Sequence, residues 1–256
     1  MNFEGIGKSY FKIINTDNDK LSKDIYIEDD KSKVSEYLTE IKLTKSNEIM
    51  QQTPIIGLER SIGFICGASG SGKSHSTAHF GEQYRKKYKN RPIYLFSSLQ
   101  EDSIMDKKIK NLKRIKLSDE FLTEQFSIND FKDSLVIFDD TDAMIDKWMK
   151  NKINSIRDLI LETGRHTNTS LIYTSHLPTN GLDTRRVLNE CMSITIYPRS
   201  LGGRSLKYLL DNYLGLDKNQ IKKLKKLNSR WVTIIKSYPM VILYDKGCYT
   251  INLTDD

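Results

Sequence analysis

The octet Gly67-Ala68-Ser69-Gly70-Ser71-Gly72-Lys73-Ser74 fits the pattern G-x-x-x-x-G-K-[ST] and follows the apolar run Ile62-Gly63-Phe64-Ile65-Cys66. A run of that length bounded by glycine reads as a buried strand, and the stretch from Ser74 to about Tyr88 reads as the helix that follows. A glycine-rich turn between strand and helix aims backbone N–H groups at phosphate oxygens, at the positive end of the helix. A flexible Gly/Ser linker would have neither flank. The expected nucleotide contacts are Gly67, Ser69, Gly70, Ser71, Gly72, Lys73, Ser74 and His75. Lys73 is expected to reach the β- and γ-phosphates of ATP, and the Ser74 hydroxyl to join the Mg²⁺ shell.

Further apolar runs at Ile93 to Phe96, Leu135 to Phe138, Leu171 to Thr174 and Ser193 to Tyr197 alternate with helical patterns, which predicts a parallel α/β sheet. The fold class expected is an α/β P-loop NTPase, RecA/ASCE-like, with a mostly parallel sheet flanked by helices and small additions at both ends. The division expected is an accessory region over 1–55, an ATPase core over 56–200 and an α+β extension over 201–256. In the first region, Tyr10 to Ile14 and Asp24 to Ile27 read as strands and Lys33 to Leu43 as a helix. In the core, Ile145, Trp148, Met149, Ile153, Ile156, Leu159 and Ile160 recur at helical spacing before Gly164. On that stripe Trp148 and Met149 read as core residues rather than as a base-stacking site. In the extension, two short helices (Leu206 to Leu214, Asp217 to Leu227) precede strands around Val232, Ile242 and Tyr249, with a hairpin turn at Asp245-Lys246-Gly247.

Leu135-Val136-Ile137-Phe138 ends in Asp139-Asp140, two carboxylates at the end of an apolar strand. Asp139 is the expected Mg²⁺ ligand, and Asp140 stands where an acid polarises attacking water. Leu171 to Ser175 runs into His176, expected at the same sheet edge as a γ-phosphate sensor. Arg165 lies before that strand, at the end opposite its own nucleotide, so it is expected to act on a neighbouring subunit as an arginine finger, with Arg185 and Arg186 as the alternatives.

The chain of 256 residues carries 40 lysines and arginines against 33 acids, a net charge of +7 that favours an anionic partner. Three basic segments supply candidates: Arg85 to Arg91, Lys107 to Arg114 and Lys222 to Lys226. Three scattered cysteines, Cys66, Cys191 and Cys248, make no disulfide framework and fit a reducing compartment. No signal peptide or membrane-spanning run is read, so a soluble protein is expected, and the sequons at Asn168 and Asn252 are expected to go unused.

Together these motifs resemble the FtsK/HerA superfamily of ring ATPases, and within it the poxvirus-type DNA-packaging ATPases of large double-stranded DNA viruses and their virophages. The resemblance covers roughly Ile56 to Pro239. It rests on Gly67 to Ser74, on Ile137-Phe138-Asp139-Asp140, on Gly164-Arg165-His166-Thr167-Asn168 running into Leu171 to His176, and on Arg186-Val187-Leu188-Asn189-Glu190-Cys191. Ser229-Arg230-Trp231-Val232 and Tyr238-Pro239 also match. Many members carry glutamate at the position of Asp140 and glutamine at that of His176. The resemblance implies a motor that hydrolyses ATP to move double-stranded DNA into a capsid. It further implies a homo-oligomeric ring, a pentamer or hexamer, with capsid proteins as partners and a place in the host cytoplasm, at the virus factory, or in the virion. Another P-loop enzyme, such as an AAA-type replication ATPase or a nucleotide kinase, and a DNA-binding subunit that holds ATP without turnover are the alternatives.

Overall fold

Short apolar runs bounded by turn residues become strands, and the amphipathic stretches between them become helices. The computed structural model describes residues 1–251, with the backbone alone at Leu182 and Asp183. Its first strands are β1 (Lys8–Asn15), β2 (Lys23–Ile27), β3 (Glu40–Lys42), β4 (Glu48–Ile56), β5 (Ile62–Cys66), β6 (Ile93–Ser97) and β7 (Leu112–Arg114). There follow β8 (Leu135–Asp139), β9 (Ser170–Ser175), β10 (Ser193–Ile196), β11 (Val232–Ile235), β12 (Met240–Tyr244) and β13 (Gly247–Ile251). The helices are α1 (Lys73–Lys87), α2 (Met105–Lys108), α3 (Asp119–Thr123), α4 (Lys147–Thr163), α5 (Gly181–Glu190), α6 (Gly203–Tyr208) and α7 (Lys218–Lys225). Two compact units result, one of Glu59–Cys191 and one that joins Met1–Leu58 to the chain from Met192 onward.

In the unit Glu59–Cys191 the strand order is β5-β9-β8-β6-β7, and every neighbouring pair is parallel. Every residue of β5, β8 and β9 is buried, as a sheet covered on both faces requires. Cys66 lies opposite Ser175, Phe138 opposite Tyr173 and Ser97 opposite Asp139, so the strands finish together along one edge. The loops leaving that edge carry the octet, the acid pair and His176. This is the α/β P-loop NTPase core that the pattern predicts.

Helix α4 begins where the Asp146 carboxylate accepts the N–H groups of Trp148 and Met149, and it buries Met149, Ile153, Ile156, Ile160 and Leu161. Trp148 is not a core residue: it is 79 % exposed, and Ile145 is 96 % exposed. The cause is helical geometry, because Trp148 shares its face with Lys152 and Ser155 rather than with the buried stripe. The helix stops at Gly164, where a Cβ would stand 2.5 Å from the Ile160 carbonyl oxygen.

In the second unit, β2-β1-β4 forms an antiparallel sheet and β3-β13-β12-β11-β10 an antiparallel run. One apolar cluster, including Met1, Phe11, Ile25 and Met50 with Ile235, Val241 and Leu243, joins the two ends of the chain. Tyr244 pairs with Gly247, so Asp245-Lys246 is the two-residue hairpin loop. Lys33 to Leu43 is not a helix. A 3₁₀ turn at Lys31–Lys33 is followed by β3, in which Ile41 pairs with Cys248 and Lys42 with Gly247. Distant partners outweigh local helical preference here: the amino terminus donates to the Leu38 carbonyl at 2.7 Å, and the Glu4 carboxylate accepts the N–H groups of Ser35 and Glu36.

All three cysteines are free and buried. Burial pushes the Cys66 thiol far above its usual range and that of Cys248 up to about 12. Among the described residues no helix is long and apolar enough to cross a membrane. The sequon at Asn252 lies outside the described residues. At Asn168 the side-chain amide donates to Asp133 at 3.0 Å.

Candidate nucleotide site

β5 delivers the chain to Gly67, and α1 begins at Lys73. Between them the backbone turns at Gly70 (φ 72°) and Gly72 (φ 120°), conformations that side chains rarely adopt. Gly72 is the N-cap of the 15-residue α1, so the loop lies at the positive end of that helix. Two backbone bonds of 3.1 Å hold the loop: Ser71 N–H donates to the Ala68 carbonyl, and Gly67 N–H to the Ser175 carbonyl. The second fastens the loop to the end of β9.

Lys73 is 6 % exposed. Its Nζ lies 3.0 Å from the Gly67 carbonyl oxygen, 3.4 Å from Asp140 Oδ1 and 3.3 Å from His176 Nδ1. His176 Nε2 in turn lies 3.1 Å from Asp140 Oδ2. An ammonium has only donors, so Nδ1 must accept from Lys73, which leaves the imidazole proton on Nε2 to be donated to Asp140. Lys73 and His176, from the ends of two elements, therefore close on the Asp140 carboxylate at the end of a third, and the buried ammonium finds its counter-charge there.

The acid pair is held from the side by Thr174, which is buried on β9. Its hydroxyl accepts the Asp140 N–H at 2.9 Å and donates to Asp139 Oδ1 at 2.9 Å, with Asp140 Oδ1 at 3.2 Å. Asp140 adopts the left-handed conformation (φ 48°), which is uncommon for a residue with a side chain. Asp139 is 3 % exposed, and its carboxyl is pushed up to about 6, first by burial and then by the neighbouring charge of Asp140; the Thr174 hydrogen bond opposes both. The Ser175 hydroxyl donates to Asp142 at 2.6 Å.

These residues fit the group the octet implies. A serine hydroxyl at the start of α1 and a buried carboxylate are hard oxygen donors suited to Mg²⁺. A carboxyl crowded by a second acid is one whose ionised form a divalent cation would stabilise. Ser74 is half-buried, while Ser69, Gly70 and His75 are open to solvent at the mouth of the loop.

Arg165 is not brought to this cluster. It is exposed after α4 and before β9, at the end of that strand opposite His176. Arg186 forms ion pairs of 3.0 Å with Asp158 and Glu162, and Arg185 is exposed.

A protein of Sputnik virophage described as "Uncharacterized protein V3" is 40 % identical over 196 residues, which span 75 % of this chain and 78 % of V3. The chain belongs to the V3 family. This virophage relative agrees with the resemblance drawn from the motifs. No family model matches the chain. Among solved structures, B204, the DNA-packaging ATPase from Sulfolobus Turreted Icosahedral Virus, is 15 % identical and has a TM-score of 0.46, covering 77 % of this chain and 100 % of its own. The pCW3 conjugation coupling protein TcpA with ATPγS is 12 % identical with a TM-score of 0.45, covering 92 % and 74 %.

Sequence reasoning on this V3-family chain missed Thr174, Ser175 and Asp142. The signal was present: β9 ends in polar residues, and parallel pairing with β8 sets Thr174 beside the acid pair. Arg60 was missed as well. It donates to the carbonyls of Thr169, Ile160 and Leu161 at 3.0, 2.6 and 3.0 Å, and no pattern announces a residue that closes a helix 100 positions away.

Proposed function

We propose that this protein hydrolyses ATP and uses the energy to translocate double-stranded DNA, packaging a viral genome into a capsid as a homo-oligomeric ring. The observation that supports the reading best is the closed set Lys73, Asp140 and His176 beside the Asp139–Thr174 pair, at the mouth of a glycine loop on a parallel sheet. The V3 relationship supports a viral setting, and B204 carries the packaging activity in its description.

Gly67 to Ser74 would receive the phosphates, and Lys73 would leave Asp140 for the β- and γ-oxygens, which offer it a stronger counter-charge. Ser74 and Asp139 would hold Mg²⁺, which when bound neutralises charge on the phosphates. Asp140 then has a carboxylate oxygen available to polarise the attacking water, while the Thr174 hydroxyl keeps its backbone placed and the Nε2 proton of His176 keeps its side chain oriented. His176 Nδ1, released by Lys73, becomes an acceptor that reports whether the lysine is occupied. That makes it a sensor of the phosphate.

The test compares Lys73→Ala with Asp140→Asn. Lys73 supplies charge in the ground state, so its loss should abolish ATP binding. Asp140 acts in the transition state, so its loss should leave binding intact and slow turnover by orders of magnitude. Parental nucleotide affinity in Lys73→Ala would refute the site. Parental turnover in Asp140→Asn would move the base elsewhere.

A further inference from the structure

In two of the three basic segments the arginines and some of the lysines are engaged internally. Arg85 donates to the carbonyls of Lys89 and Arg91, and Arg91 pairs with Glu59 at 2.7 Å and Asp133 at 3.3 Å while stacking on Tyr88. Arg114 forks onto Asp106, Lys108 approaches His79, and Lys113 lies over Tyr94. The third segment, on α7, is different. Lys222, Lys225 and Lys226 are exposed, and no ion pair engages them among the described residues.

The surroundings sharpen the contrast. Residues 199–236 hold ten lysines and arginines and two acids, a surplus greater than the +7 of the entire chain. Helix α7 buries Ile221 and Leu224, lays Lys223 over the Tyr249 ring at 3.8 Å and leaves Lys218, Lys222 and Lys225 exposed, while Asp217, its N-cap, is used by the backbone N–H groups of Asn219 and Gln220. On the exposed face the pairs Lys218–Lys222, Lys222–Lys225, Lys222–Lys226 and Lys223–Lys226 repel at i,i+3 and i,i+4 spacing, each by about 0.2–0.5 kcal/mol. Lysines near a helix C-terminus do complement its dipole, but that effect fades within one turn and does not explain a surplus on this scale. Arg199 extends the patch in space, since its Nη2 lies 3.1 Å from Asn228 Oδ1 just beyond α7. The repulsion among Lys218, Lys222, Lys225 and Lys226 is of the kind that a polyanion outside the protein relieves.

We propose that the outer face of α7, with Arg199, is a docking surface for the sugar-phosphate backbone of double-stranded DNA. The inference rests on the proposal that the chain works on DNA, and adds which surface holds it. Lysines on a helix face give charge without base-reading geometry, as suits a partner of arbitrary sequence.

The experiment is nucleotide-free binding of a labelled random-sequence duplex, followed by fluorescence anisotropy over a salt series. The proteins are the parent, Lys222→Gln/Lys225→Gln/Lys226→Gln, the same triple to arginine, and a Lys107→Gln/Lys110→Gln control. Glutamine has nearly the helix propensity of lysine, so α7 is kept, as circular dichroism will verify. The glutamine triple should bind more weakly, with a log K against log salt slope shallower by about 2 to 3, at roughly 0.9 for each phosphate no longer neutralised. The arginine triple and the control should behave as the parent does. Parental affinity and slope in the glutamine triple would overturn the proposal, as would a parent that does not bind duplex at low salt or prefers labelled polyglutamate. ATP turnover without DNA separates the two proposals. A parent that binds duplex through α7 but never hydrolyses ATP refutes the motor, and one that hydrolyses ATP while α7 proves irrelevant to binding refutes only the surface.

Discussion

Thr174 has one proton to give and lies between two carboxylates, while its oxygen receives the N–H of a residue in a disfavoured backbone conformation. Replacing it with valine keeps the shape and removes the hydroxyl. Thr174→Val should lower kcat by about 10- to 100-fold, the usual range for a partner that orients a ligand, with a smaller change in KM for ATP. Thr174→Ser should restore most of the loss. Equal kcat in Thr174→Val and the parent would deny the hydroxyl any part in positioning. Asp139 makes a separate prediction through pH. Its folded carboxyl titrates near 6 rather than 3.8, so the folded chain binds its proton more tightly than the unfolded chain does. The sign follows: stability is full at and below the ordinary carboxyl range, falls as pH rises from about 4 to 6, and stays low above. The loss is roughly 3 kcal/mol at most, from about 1.4 kcal/mol per pH unit. Asp139→Asn removes that penalty, so without Mg²⁺ or nucleotide it should melt above the parent at pH 7.5, with a gap that narrows towards pH 4.5. A gap that does not change with pH would rule out this origin.

At the level of elements, α4 depends on a residue outside it. Arg60 supplies donors to the last carbonyls of the helix and to Thr169 in the loop before β9. Arg60→Ala should cost about 2–3 kcal/mol, measured as a lowered urea midpoint at constant slope, because several inward carbonyls lose a charged donor together. Lysine should recover little, since one ammonium does not reproduce the fork. A midpoint within error of the parent would show that water replaces the arginine at no cost. The core strands were legible because continuous apolar runs admit few other readings, and the octet and acid pair because their spacing is tied to strand ends. Less legible was whatever depends on a distant partner. β3 reads as helix until β13 is known, β4 lies unannounced in a polar stretch, and Trp148 looks like core until its helix phase is fixed by the Asp146 cap. In the site, Lys73, Asp139, Asp140 and His176 came together as their spacing suggested. Thr174 needed the register of β8 against β9.

For the whole molecule, the placement of Arg165 at the sheet edge away from Lys73 means that any action on a γ-phosphate must cross to another copy. If the ring forms as proposed, Arg165→Ala and Lys73→Ala subunits, each inactive alone, should recover part of the parental hydrolysis when mixed, because some interfaces then join an intact loop to an intact arginine. Native mass spectrometry would establish mixing. Mixed assemblies without recovery would reject Arg165 as the finger and turn attention to Arg185. The burial of Cys66, Cys191 and Cys248 bears on how such measurements can be made. With all three thiols enclosed, and burial holding those of Cys66 and Cys248 protonated, maleimide dyes have little native target. A single cysteine introduced at an exposed site such as Asn219 can therefore carry a fluorophore or spin label without first stripping the natural thiols, and the chain comes ready for site-specific spectroscopy.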